Sequence, residues 1–174
     1  EKRLLKLYEN IKDGRNWETE IKNASASGKL NSKKLYLYYL QMGKDAYTGN
    51  DIDIEDLFKD NRYDIDHIYP RSLTNDNNME NNLVLVSKKI NEEDKQNDSL
   101  VPKKVRENPK VRELWAVLHK MGFMNDEKYN RLTSNEKLTD DQLAGFIERQ
   151  LVETAQGAKG IADLLKSLMP GTEI

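Results

Sequence analysis

Residues 63–93 contain the pattern that most restricts how this chain can fold. A run that reads as an extended strand, YDIDHIYP (63–70), precedes a polar, asparagine-rich loop and a second strand-like run, LVLVS (83–87). Leucine and β-branched side chains in the second run are typical of a buried strand, and the following KKINEEDKQN favours a helix. We therefore expect two antiparallel strands with a helix across their ends.

The first strand carries ionisable side chains that a core strand would avoid. Asp64, Asp66 and His67 lie together in it, and ionised groups are costly to bury. Strict alternation puts His67 on the face of Tyr63 and Asp66 on the opposite face. Periodicity alone therefore leaves two interpretations open, a core histidine bonded to the main chain or a catalytic one. The catalytic interpretation requires the strand to end or bend near His67, which Pro70 permits.

Asp66 and Asn91 form a candidate cation site. The order of strand, loop, strand and helix brings a residue of the first strand close to one of the helix, so these side chains can converge on one ion. Oxygen-only ligands suit Mg²⁺ or Mn²⁺, which keep several waters and leave room for phosphate oxygens. Asp64, on the face of Asp66, is a candidate second or substitute ligand, with a solvated or loop-bracing role as the alternative. A neutral His67 beside this site can accept a proton from water.

Charge and composition limit the class of protein. The net charge of −2 is unusual for a free-standing nucleic-acid-binding protein, in which lysine and arginine outnumber acidic residues. Any DNA contact must therefore be local or shared with other domains. Without cysteine, an apolar run of transmembrane length or a signal-peptide pattern, a cytoplasmic protein with no membrane partner is the default expectation. Because the chain begins at Glu1 rather than Met, we expect it to be part of a longer polypeptide.

Helical patterns surround the predicted strands. The sequence predicts an amphipathic helix over 1–12, a polar loop over 23–32 and a buried helix, KKLYLYYLQMG, that ends on Gly43. A further core helix begins at Pro109 and contains Trp115 at helical spacing.

The last part of the chain predicts another amphipathic helix. Thr139 and the glutamine three residues later form a capping-box pattern at its start. Gly157 and Gly160 weaken any continuing helix and favour a hinge. His119 is interpreted as structural or solvated, because no second acidic or histidine cluster accompanies it. Trp17 is interpreted as a packing residue rather than one that stacks on bases.

The spacing of the polar residues resembles a known nuclease motif. The Asp66–His67 pair, Asn82 after the loop and Asn91 on the helix resemble the ββα-metal, or HNH, motif, with Asn91 in place of the last histidine. Together with LYLYYLQMGKDAYTG, YDIDHIYPRS, NNLVLVSKKIN and AGFIERQLVET, this variant is similar to the HNH domain of the RNA-guided DNA endonucleases of type II CRISPR systems. The resemblance implies a mostly helical α+β fold, with a two-stranded antiparallel ββα-metal core, surrounding helices and helical linker arms.

The resemblance also implies a role for each motif residue. Asp66 and Asn91 would hold one Mg²⁺, which Mn²⁺ could replace, and His67 would activate the attacking water. Asn82 would brace the loop and the backbone around His67 rather than contact the metal. Lys95 is an expected phosphate or leaving-group contact, although the surrounding EEDKQNDSLVP is acidic where many relatives carry basic residues.

The function implied by the family is cleavage of the DNA strand paired with a guide RNA, to 3′-hydroxyl and 5′-phosphate ends, in a prokaryotic cytoplasm. The expected partners are the guide RNA–target DNA heteroduplex and the RuvC-like and other domains of a parent protein, and the isolated domain is expected to be a monomer. The implied division is a linker over 1–30, a nuclease core over 31–140 and linker helices over 141–174. Two alternatives stay open: a non-catalytic conformational or nucleic-acid-binding module, and a free-standing HNH nuclease of phage or mobile-element origin.

Overall fold

Helices surround a small sheet in the computed structural model, which describes residues 1–59, 62–71, 74–93 and 100–134. The helices are α1 (Lys2–Tyr8), α2 (Trp17–Ala26), α3 (Lys33–Leu40), α4 (Lys88–Glu93), α5 (Lys103–Arg106), α6 (Pro109–Lys120) and α7 (Asp126–Thr133), and a 3₁₀ turn spans Lys29–Asn31. The strands are β1 (Tyr63–His67) and β2 (Leu83–Ser87), which pair antiparallel. Within the described ranges, the predicted α+β fold with a two-stranded antiparallel core is confirmed.

β1 ends earlier than its sequence predicts. The pattern favours a strand that continues to Pro70, but the last residue of β1 is His67, which lies opposite Leu83. The main-chain N–H of Ile68 then donates to the carbonyl of Asn82 at 2.9 Å, and the chain bends away from the sheet. The strand therefore ends at the position that the catalytic interpretation of the histidine requires.

The outer edge of β2 is bonded to side chains that follow α3. The Gln41 amide donates to the carbonyl of Leu85 at 2.9 Å, and its Oε1 atom accepts from the N–H of Leu85 at 2.7 Å. The carboxylate of Asp45 accepts from the N–H of Ser87 at 3.0 Å, and burial raises the pKa of this carboxyl. A two-stranded sheet is marginally stable by itself, so these bonds along the second edge stabilise β2 in the core.

Aromatic side chains connect the first two helices to the rest of the core. The ring of Tyr8 stacks on Trp17 with 4.8 Å between centroids, and it meets Phe123 edge-on at 5.0 Å. Trp115 is 1% exposed, and its indole N–H donates to the carbonyl of Ala46 at 2.8 Å. The predicted core position of Trp115 and the start of its helix at Pro109 are confirmed.

The prediction of a loop over 23–32 is wrong for its first part. Helix α2 continues to Ala26, because Ile21 and Ala24 lie on one helical face and are both buried. Gly28 has a φ of +77° and follows the end of this helix. Small polar residues that suggest a loop are here the exposed face of a helix.

The buried helix α3 ends three residues before the predicted stop at Gly43. It ends at Leu40, and both Met42 and Gly43 adopt a left-handed backbone, with φ of +53° and +70°. The N–H of Gly43 donates to the carbonyl of Tyr38 at 2.9 Å and so satisfies a carbonyl of the last helical turn. Gly43 therefore lies outside the helix and caps its C-terminal end.

Other expectations lie outside the described residues. These are the helix beginning at Thr139, the hinge at Gly157 and Gly160, and the linker over 141–174. The domain divisions, including the one after residue 30, stay predictions. In the described ranges, no helix is both long enough and apolar enough to cross a membrane.

Gln41→Leu should lower the free energy of unfolding by about 1–3 kcal/mol, because the buried N–H of Leu85 loses its acceptor. Urea denaturation measures the change. Asn130→Leu, at an exposed position of α7, is the control and should change the free energy by no more than about 0.5 kcal/mol. Equal losses in the two variants would contradict the importance of the β2 edge.

A buried lysine anchors α7 to the loop before β2. Lys128 is 3% exposed, and its ammonium group donates to the carbonyl of Met79 at 2.6 Å. Burial lowers the pKa of Lys128 from 10.5 to about 8. The folded state therefore loses this proton at a lower pH than the unfolded chain does.

Lys128→Met should remove a pH dependence of stability. Between the folded pKa of about 8 and the unfolded value of 10.5, the unfolded parental chain binds more protons, so the contribution of Lys128 to the free energy of unfolding rises with pH. The parental protein should gain stability relative to Lys128→Met by at most about 1.4 kcal/mol per pH unit in this range. Urea denaturation at a series of pH values measures the difference, and Lys120→Met, at an exposed lysine, should show no such gain. A constant difference across the range would contradict the assignment.

Candidate active site

Asp66 and His67 are the last two residues of β1, and both are half-buried. The hydroxyl of Tyr47 donates to Oδ2 of Asp66. Tyr47 is 2% exposed, and burial, followed by the negative charge of Asp66, raises the pKa of its hydroxyl. The hydroxyl therefore stays protonated and holds one carboxylate oxygen of Asp66 from inside the core.

Two side chains contact the Nε2 atom of His67. Oδ1 of Asn77 lies 2.8 Å from it, and Nε of Arg71 lies 3.3 Å from it. The Asn77 contact suits an Nε2 that carries a hydrogen and donates to Oδ1, whereas the Arg71 contact suits an Nε2 with a lone pair, so the roles depend on the tautomer of the ring. Both contacts orient the imidazole through this one nitrogen.

Asn82 is fully buried and joins the segments on either side of the loop. Its Oδ1 accepts from the N–H of Tyr69 at 2.8 Å, and its Nδ2 donates to the carbonyls of Tyr69 at 3.1 Å and of Asp76 at 2.9 Å. The side chain thus pairs with both main-chain groups of Tyr69, as a neighbouring strand would. These contacts suit a residue that braces the loop, and its part in the reaction stays a prediction.

The other predicted site residues lie on β1, on α4 and beyond. Asn91 is half-buried on α4, which packs against both strands. Asp64 is also half-buried and lies opposite Val86 in the sheet. Lys95 lies outside the described residues. The ligand roles of Asn91, Asp64 and Asp66 stay predictions, as does the phosphate contact of the lysine.

The donor groups of Asp66 and Asn91 fit a hard divalent cation. One offers a carboxylate and the other an amide oxygen, and both are partly open to the solvent that would complete the coordination shell. The part of the chain that the structure describes contains no group of three or more histidine, cysteine, aspartate or glutamate side chains able to hold a metal. One carboxylate with one amide would be a smaller set of ligands, and a divalent cation held by them would keep several waters.

Comparison with known proteins places this site in a family. Residues 45–100, which include β1, β2 and α4, match the family model of the HNH endonucleases. The chain contains an HNH endonuclease domain. Over 138 residues, or 78% of its length, it is 44% identical to the CRISPR-associated endonuclease Cas9 of Listeria innocua. Over 143 residues, or 80% of its length, it is 41% identical to the Cas9 of Streptococcus mutans.

The chain spans only about a tenth of the length of these relatives. The matched region covers 10% of each of the two proteins. A more distant relative, the Cas9 of Staphylococcus aureus, is 32% identical over 142 residues, which are 78% of this chain and 13% of that protein. These matches confirm the resemblance seen in the motifs, because the chain is consistent with the HNH domain of Cas9. The nuclease class of the domain is supported by the same matches.

Three side chains of the site were not found by sequence reasoning. Tyr47 lies in the turn-forming KDAYTGN, where nothing in the local pattern indicates a contact with Asp66. Arg71 and Asn77 lie in the polar loop after Pro70, where such residues are common whether or not they contact a histidine. The sequence feature that could have indicated these contacts is the high asparagine content of the loop. Asparagine side chains often bond to the main chain and so order a loop.

Asn82→Ala should destabilise the HNH domain, because the half-buried N–H of Tyr69 and the buried carbonyl of Asp76 lose their bonds to this side chain. Each unsatisfied group costs about 1–3 kcal/mol. Urea denaturation measures the total, and hydrogen exchange at the N–H of Tyr69 should become faster. Asn75→Ala, at an exposed position of the same loop, is the control. Unchanged protection of the Tyr69 amide in Asn82→Ala would show that the side chain does not brace this segment.

Proposed function

We propose that this HNH domain hydrolyses the DNA strand paired with a guide RNA and that the reaction requires Mg²⁺. The observation that carries the proposal is the pair of side chains at the end of β1. There the Asp66 carboxylate is held by a buried tyrosine, and the adjacent His67 presents Nε2 to Asn77 and Arg71. A carboxylate next to a neutral histidine supplies a cation ligand and a general base at one place.

His67 is the general base of the proposed reaction. A ring nitrogen of His67 takes a proton from the attacking water. The water oxygen forms a bond to phosphorus while the bond from phosphorus to O3′ breaks, and O3′ takes up a proton. The products are a 3′-hydroxyl and a 5′-phosphate. Arg71, exposed beside the imidazole, adds a positive charge where the phosphate group would approach.

The other motif residues hold the cation or support the site. Asp66 and Asn91 would bind Mg²⁺ or Mn²⁺, with Asp64 as a second or substitute ligand. When bound, the cation supplies stabilisation of the negative charge that develops on the phosphate and the leaving oxygen. Lys95 would contact a phosphate or the leaving group, and Asn82 would keep the loop in place.

The proposed substrate follows from the relatives and from the charge of the chain. The relatives are named as CRISPR-associated endonucleases, and we propose a guide RNA–target DNA heteroduplex, whose sequence is read by base pairing. With a net charge of −2, the domain needs basic surfaces from elsewhere to hold this duplex. We propose that the RuvC-like and other domains of a parent protein supply them, in the prokaryotic cytoplasm, and that the isolated domain is a monomer.

A non-catalytic conformational module is the second candidate. In this alternative Asp66 is a structural carboxylate with internal hydrogen bonds, and the bond from Tyr47 to Asp66 is of that kind. The module predicts no dependence on divalent metal, and Asp66→Asn would then change stability more than cleavage. A free-standing phage or mobile-element nuclease fits less well, because the charge of the chain does not favour unaided DNA binding.

His67→Ala should slow cleavage of the guide-paired strand by about 10²- to 10⁴-fold without unfolding the domain, because the general base is lost. Strand-resolved cleavage of an end-labelled R-loop, with Mg²⁺ or with EDTA, measures this for the 174-residue chain and for the same change in the full-length parent protein. The matched control is His119→Ala, since the chain has 2 histidines, and it should cut at the parental rate.

Two results would contradict the proposal. Parental cleavage rates in the His67→Ala parent protein would exclude this residue as the base. Undiminished cutting in EDTA would exclude the cation.

A further inference from the structure

A buried ion pair joins α7 to the loop that carries Asn77. Nη1 of Arg131 lies 2.7 Å from Oδ2 of Asp76, and the two side chains are 3% and 4% exposed. Nε and Nη2 of the same arginine donate to Glu127, one turn earlier on α7, at 3.0 and 2.8 Å. The guanidinium group is therefore fixed to its own helix and to the loop at the same time.

Asp76 links Arg131 to the residue that contacts the histidine. Its Oδ1 accepts from the N–H of Asn78 at 2.9 Å, and its main-chain carbonyl accepts from Asn82 at 2.9 Å. Asn77 lies between Asp76 and Asn78 in the chain, and Oδ1 of its amide lies 2.8 Å from Nε2 of His67. Because the residue before it is held through both its side chain and its main chain, the backbone that carries the exposed Asn77 amide is fixed beside the imidazole.

Arg131 also contacts the segment on the other side of His67. Its guanidinium group lies over the ring of Tyr69, 4.7 Å from the centroid. Tyr69 follows the histidine by two residues, and both of its main-chain groups are paired with Asn82. One arginine therefore contacts the two stretches of chain between which the imidazole is held.

Stability alone does not explain a buried pair of charges at this place. Removing two charged groups from water costs several kcal/mol, and apolar residues of similar volume are often equally stabilising. An arginine with a carboxylate differs from an apolar pair in the direction of its bonds, because the planar guanidinium group fixes its partner's orientation. The pair of Arg131 and Asp76 thus provides geometry that an apolar contact would not.

We propose that Arg131 is a positioning residue for His67: through Asp76, it holds the Asn77 amide against Nε2. The inference rests on the proposed function of His67 as the general base. Arg131 lies outside residues 45–100, the part matched by the HNH family model. The functional unit therefore includes α7.

The contact can be measured without any cleavage, because the 174-residue chain contains 2 histidines. In isotope-labelled protein, nuclear Overhauser effects between the Asn77 amide and the His67 ring report their contact. The ring of His119 stacks on Tyr129 of α7 with 4.3 Å between centroids, so the effect between these rings reports whether α7 is folded. Arg131→Met should lose the first effect and keep the second.

Three further variants make the result specific. Glu127→Gln removes the other carboxylate bonded to Arg131 and should keep the contact of His67 with Asn77. Arg131→Lys retains a positive charge toward Asp76 and should restore part of the effect. If Arg131→Met does not fold, Asp76→Asn, which keeps the side-chain volume, should lose the effect in its place.

Cleavage supplies the second readout. In the parent protein, Arg131→Met should lower the single-turnover rate by about 10²-fold with unchanged affinity for the R-loop, because only the base is misplaced. A folded Arg131→Met that retains the His67–Asn77 effect, or that cuts at the parental rate, would overturn the proposal. A parental protein that does not cut would instead refute the nuclease function, and the resonance measurement would still decide whether Arg131 positions the imidazole.

Discussion

β2 is hydrogen-bonded along both edges, and this fixed strand positions the residues of the candidate site. β1 pairs with one edge, and the side chains of Gln41 and Asp45 bond to the other, which a two-stranded sheet would otherwise leave open. Asn82 immediately precedes β2, and Asn91 lies on the helix that follows it. Because these residues are attached to the two ends of one buried strand, a shift of β2 would move both relative to Asp66.

The site combines a half-exposed reactive end with a buried polar frame. Asp66 and His67 lie where β1 ends, so they retain part of their hydration and are less costly to hold there than in the core. Behind them, Tyr47, Asn82 and Arg131 are buried. Tyr47 donates to Asp66, Asn82 bonds to the segment after His67, and Arg131 donates to the loop that carries Asn77. Satisfied polar groups in the interior are rigid, which suits a site that must keep a base in one orientation.

Local patterns predicted those elements whose residues interact mainly within the element. The order of strand, loop, strand and helix and the start of α6 at Pro109 are of this kind. The sequence reasoning did not identify α7, because two of its buried side chains are Lys128 and Arg131, and hydropathy counts them as surface residues. The local pattern does not fix the early end of β1 either, because that end depends on the side chain of Asn82 from across the loop.

The DH pair at the end of a strand, the two spaced asparagines and the resemblance to an HNH nuclease can all be read from residue order. The partners of the reactive groups cannot. Tyr47 reaches Asp66 across 19 positions of the chain, and Arg131 reaches Asp76 across 55. Periodicity reports neighbours within a few residues, whereas these contacts form only when α3, the sheet and α7 pack around one core. The chemistry of the site is thus visible in the chain, and its orientation is set by the packing.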